Sequence, residues 1–255
     1  MEQILDLRQE LAGLLGFANF AELSLATKMA ESSDQVLSFL RDLAKRSKPF
    51  AAQDLQQLKA YAAEQGCADL QSWDSGFYGE KLREQRYSVS QEALRAYFPI
   101  DKVLGGLFAI VQRLYGIEIA EIKGFDTWHP DVRLFEIKEN GQHVGRFFFD
   151  LYARANKRGG AWANAYVGQS GLLNRKPVIA NNLNIPKPEA GQPTLMTFDE
   201  VNTMFHEFGH ALHGMFSNVK YPRFAGTSVP RDFVEYPSQV NEMWALWPEV
   251  LQNYA

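Results

Sequence analysis

The stretch TMFHEFGHALHGMF, residues 203–216, constrains the chain more than any other, because it sets three of the five histidines and a glutamate among apolar residues. Thr197 and Glu200, in TFDE, form a capping box that starts a helix just before it. Along that helix Val201, Phe205, Phe208, Leu212, Met215 and Phe216 share an apolar side, which by itself would describe only a core helix. His206 and His210 change this. Four residues apart, they lie about 40° apart around the axis and about 6 Å along it. Two imidazoles in that relation can grip one tetrahedral zinc, and Glu207, turned about 100° away, can meet a metal-bound water without being a ligand. The bland alternative, a pair of helix-face histidines, is disfavoured because unpaired histidines among large apolar residues are costly.

A third ligand must come from elsewhere. His213 faces the same side but lies about 10 Å along the axis from His206, too far to share an ion ligated at about 2 Å. It is read as a core histidine or as a group on the substrate side. The extended pattern with glycine three and histidine six residues after the second ligand is absent, since His213 and Phe216 hold those places, which excludes the metzincin class. A carboxylate on a following helix remains. VPRDFVEYPSQVNEMWALW, residues 229–247, is such a helix, with Glu235 and Glu242 two turns apart on one face. Asp232 and Glu235 also match a capping box. Spacing leaves both glutamates open, with a modest preference for Glu235.

The rest of the chain reads as α+β and predominantly α-helical, with a mainly helical part over 1–115 and a small sheet plus the zinc-binding helices over 116–255. Leu5, Leu11, Leu14 and Leu15 form one helical stripe; Ser33 and Asp34 start a second helix that Pro49 is expected to break, and Gly66 suits a helix end. From residue 116 the pattern turns to strands: IEIAEI, then VRLFEIKENGQHVGRFFFDLY with a hairpin at Asn140-Gly141, then KPVIANNLNI. The Gly-, Asn- and Arg-rich residues 154–176 read as a loop, and VIANNLN could offer an exposed edge to an extended peptide.

Composition narrows the partners. Net charge is −4 with 22% charged residues, so nothing suggests nucleic acid or an anionic membrane surface. No apolar run reaches the roughly 18 residues of a membrane span. The single cysteine, Cys67, allows no internal disulfide, and the acidic N-terminal stretch does not read as a signal peptide, so a cytoplasmic location is expected.

FHEFGHALHGMFS followed by GTSVPRDFVEYPSQVNEMW resembles the zinc oligopeptidase family of thimet oligopeptidase, neurolysin, oligopeptidase A and peptidyl-dipeptidase. WDSGFYGEKLRE, YFPIDKVLGGLF, VRLFEI and GRFFFDLYARANKRGGAW agree, so the likeness runs through most of the chain, and LYARANKRGGAW points to the oligopeptidase A branch. The resemblance implies that His206, His210 and Glu235 hold one zinc ion, that Glu207 is the general base, and that Glu242 is a helix-face residue or a group standing behind the ligands. It implies hydrolysis of short oligopeptides. The family is longer at both ends, and its Gly- and Tyr-rich loop, which carries substrate and oxyanion donors, has no match here. The chain therefore reads as a fragment whose further partner is the remainder of the same polypeptide. Two other readings are a metal-binding module without hydrolysis and a structural α+β protein with core histidines.

Overall fold

The computed structural model describes residues 1–255. It comprises two compact units, one of Met1–Ser90 with Pro230–Asp232, the other of Gln91–Val229 with Phe233–Ala255.

The first unit is helical: α1 (Glu2–Leu14), α2 (Phe20–Leu25), α3 (Ser33–Glu64) and α4 (Ser75–Tyr87). Its caps follow local rules. Asn19 accepts from the Glu22 amide and Ser32 from the Gln35 amide. Both α1 and α3 end on a left-handed glycine, Gly16 and Gly66, with the next amide reaching back to Ala12 and Ala62 respectively. Pro49 does not break α3, contrary to expectation. The proline deprives the Lys45 carbonyl of a helical partner, but both residues are exposed, so solvent can take that partner's place while intact turns on either side carry the helix through. Asp232 accepts hydrogen bonds from the Met29 amide, at 3.0 and 2.9 Å, and from the Ala30 amide at 3.0 Å.

The second unit carries α5 (Gln91–Arg95), α6 (Ile100–Tyr115), β1 (Ile117–Ile122), β2 (Arg133–Glu139), β3 (Gln142–Tyr152), β4 (Trp162–Val167), β5 (Val178–Ile185), α7 (Phe198–Met215), α8 (Tyr236–Glu242) and α9 (Pro248–Tyr254). The architecture is α+β, with the strands in one sheet of order β1-β2-β3-β5-β4. All neighbours are antiparallel except β3 and β5. Asn140 and Gly141 close the β2–β3 hairpin with φ of 51° and 75°, as a type I′ turn requires.

Two strand expectations are corrected here. β5, which holds VIANNLN, is interior, flanked by β3 and β4, so it offers no free edge. The edge is β4, inside the stretch 154–176 read as a loop. Its residues are half-exposed or exposed, so it lacks apolar alternation; pairing with β5 makes it a strand. The helix expected over 229–247 is also shorter. It begins at Tyr236, with Pro237 in its first turn, and the Asp232–Glu235 capping box does not form.

α6 buries Ile100, Val103, Leu104, Leu107, Ile110 and Val111, and Gly106 lets Tyr254 of α9 approach, since a Cβ there would lie 2.6 Å from the Tyr254 Cβ. Phe147 and Phe149 of β3 pack in the same core as Phe205 and Phe208 of α7, all four at 0% exposure. Each such side chain contributes roughly 1.5–3 kcal/mol by leaving water. The result is a rigid bed for α7. No helix is long and apolar enough to cross a membrane.

Candidate metal centre

α7 starts where the sequence places it. The Thr197 amide donates to Glu200 Oε2 at 2.8 Å and the Glu200 amide donates to Thr197 Oγ1 at 3.2 Å. The helix then runs with one side against the sheet and the other against α8. Gly209 permits the second contact: a Cβ there would lie 2.6 Å from Ser238 Cα, which is main chain and cannot yield. Gly214 similarly accommodates Ile179 of β5.

That close crossing brings Glu235, the residue capping α8, over the histidines. Glu235 Oε2 lies 3.2 Å from His206 Nε2 and 3.0 Å from His210 Nε2. The donor atoms of the three residues all fall within 4.8 Å of one another. A tetrahedral ion with ligands at about 2.0–2.2 Å separates its donors by about 3.3–3.6 Å, so the two Glu235–histidine distances lie just inside that spacing and the donor types suit zinc. Ser238 Oγ lies 2.8 Å from the Glu235 carbonyl and 3.2 Å from Oε2, so its single proton is shared between the two acceptors.

Glu242 stands elsewhere. Its Oε1 meets the other nitrogen of His206, Nδ1, in a very short contact, and its Oε2 accepts from Asn202 Nδ2 at 3.1 Å. The two glutamates that spacing left open are thus separated by which ring nitrogen they address.

Glu207 is 7% exposed, and its Oε2 has no hydrogen-bond partner. Burial pushes its carboxyl above the usual carboxylate range and the charge on Glu235 adds to this, while His206 pulls the other way. Burial holds His210 below the usual imidazole value. His213 is not part of the three-donor set. Burial lowers it too, its Nδ1 lacks a partner, and its ring sits 6.5 Å from that of Phe233 beside an apolar cavity.

Sequence reading missed the clamps that hold α7. Asn181 of β5 donates to the Glu207 carbonyl at 2.8 Å, and Asn241 of α8 donates to the Phe205 carbonyl. Both asparagines are buried, at 0% and 3% exposure. The signal available was the Asn181-Asn182 pair in β5, two amides that an interior strand buries and that therefore need partners. A cavity of about 200 Å³ opens beside His210, lined by Ala163 and Asn164 of β4 and by Gly226 and Ser228 of the following loop.

The model of peptidase family M3 matches residues 1–255. The chain is 53% identical over 258 residues to oligopeptidase A of Escherichia coli, covering 98% of this chain and 38% of that protein. It is 40% identical to the dipeptidyl carboxypeptidase of the same organism, covering 100% of this chain and 38% of that protein. Identity to a probable cytosolic oligopeptidase A of Arabidopsis thaliana is also 40%, with 100% and 38% covered. The chain thus spans about 38% of the length of these relatives.

Proposed function

The chain belongs to peptidase family M3, and from that premise we propose that it forms the zinc-binding part of a metallo-oligopeptidase that hydrolyses short peptides. One observation carries the reading: His206, His210 and Glu235 converge from two helices at metal-ligand spacing, next to the buried Glu207, whose Oε2 has no partner. In this reading His206 and His210 give Nε2 and Glu235 gives Oε2 to a single zinc ion. Zinc held there supplies Lewis acidity that polarises the scissile carbonyl and acidifies the attacking water.

Glu207 takes the proton of that water and returns it to the leaving amine. A buried carboxyl with raised proton affinity suits a group that must both accept and release a proton. Asn181 and Asn241 hold the α7 main chain so that Glu207 and the histidines keep their relative positions. The peptide lies along β4, the sheet edge that lines the cavity beside His210, and adds to it as a further strand. Similarity to a probable cytosolic oligopeptidase A supports the cytoplasm as the chain's working location.

Metal analysis and a quenched-fluorescent peptide assay test this together. The purified chain should hold one zinc. His210→Ala should lose it, and Glu207→Gln should keep it while abolishing peptide cleavage. A chain without zinc overturns the reading. A zinc-loaded chain that leaves the peptide intact selects the second reading, a metal-binding module without hydrolysis.

A further inference from the structure

The two imidazoles of the centre are supported in different ways. His210 turns Nε2 towards Glu235, while its Nδ1 is buried with no hydrogen-bond partner. On the Nδ1 side, packing alone holds that ring. His206 also turns Nε2 towards Glu235, but its Nδ1 meets a carboxylate oxygen of Glu242. The second oxygen of Glu242 is taken by Asn202, which lies one turn before His206 on α7. The chain of contacts therefore leaves α7 at Asn202, crosses to the end of α8 at Glu242, and returns to α7 at His206.

We propose that Glu242 is a positioning residue for the metal site, held in register by Asn202. A carboxylate on Nδ1 requires that nitrogen to carry the proton, which leaves the Nε2 lone pair free on the side where Glu235 and His210 converge. The same contact fixes the rotation of the ring about its side-chain bonds. The negative charge behind the ring also makes Nε2 a stronger donor than a neutral carbonyl would. Asn202 removes the remaining freedom: with Oε2 engaged at 3.1 Å, Glu242 cannot swing towards the Nε2 side and compete with Glu235. Of the two histidines, His206 is the one whose second ring nitrogen is held by a side chain. This inference rests on the zinc reading above.

Competition between the chain and a chromophoric chelator for zinc tests it, with Co²⁺ absorption as a second readout. Glu242→Ala should weaken zinc binding about 10- to 100-fold and change the intensity of the visible Co²⁺ bands. Glu242→Gln keeps a hydrogen-bond acceptor without the charge and should recover part of the loss. Asn202→Ala should weaken binding less than Glu242→Ala. A purely structural role predicts a lower melting temperature of the metal-free chain with unaltered zinc affinity; that result, in either Glu242→Gln or Asn202→Ala, overturns the proposal even where Glu242→Ala misfolds. The failure of the underlying reading looks different: a parent chain that takes up no zinc removes both, whereas a parent that binds one zinc and loses it in His210→Ala isolates the question of Glu242.

Discussion

Both units of the molecule contain amphipathic helices, yet only one buries them. In the first unit Leu5, Phe39 and Phe50 are 56%, 66% and 70% exposed, and the fully buried hydrophobic residues are Ala12 and Ala62, each where a glycine turn folds back on its helix. In the second unit the apolar faces of α6 and α7 meet the sheet, and the phenylalanines at 147, 149, 205 and 208 lose all contact with solvent. Helical periodicity and caps specify a helix without specifying what covers it. Burial requires a second surface, and the three donor residues are carried by helices of the unit that has one.

Paired truncations should show the contrast at its largest. Phe147→Ala should cost 3–5 kcal/mol in chemical denaturation of the second unit, whereas Phe39→Ala in the first should stay within about 0.5 kcal/mol. Equal costs would mean that the first unit packs its apolar face in solution, for instance by self-association, which light scattering would reveal.

A smaller effect comes from acid. Asp150 is 1% exposed. Burial pushes its carboxyl up, but hydrogen bonds from Arg154, Trp128 and Lys157 more than offset this and bring it down to about 2. A carboxyl depressed in the folded state adds stability that is complete above its unfolded value, near 3.8, and lost as pH falls towards the folded one. Between pH 4 and 2 the second unit should therefore lose about 2 kcal/mol through Asp150. Glu121, held at about 2 chiefly by Arg133, acts in a similar window. Asp150→Asn should remove only its own share of the drop, and an unchanged profile would show that the cluster does not hold the carboxylate charged.

The smallest effect belongs to the first unit. Ser32→Ala removes the cap on α3 and should cost about 1 kcal/mol, read as lost helicity by circular dichroism. No change there would mean that contacts other than local ones hold α3.

Much of this was legible in the residues. TFDE marked the start of α7 and Asn140-Gly141 marked the hairpin, because cap and turn chemistry act over a few residues. The placement of His206, His210 and Glu207 followed from helical period. What escaped depended on distant partners. β4 is a strand only because β5 lies beside it, and its half-exposed residues carry no alternation. α3 survives Pro49 because solvent reaches the freed carbonyl, a fact about exposure that spacing does not encode. Asp232 matched a capping box by pattern but finds its partners about 200 positions earlier in the chain, at Met29 and Ala30. Spacing could count Glu235 and Glu242 on one face, yet which nitrogen of His206 each would address is a matter of how two helices cross.

That crossing is set at Gly209, where the neighbouring helix comes to rest against bare backbone. Side chains can rotate, compress or be exchanged; peptide units have fixed bond lengths and give almost nothing. The spacing between Nε2 and carboxylate is thereby gauged by a mechanical stop instead of by the sum of many adjustable contacts. Repacking the aromatic layer beneath α7 is therefore expected to change stability more than it changes the spacing of His206, His210 and Glu235.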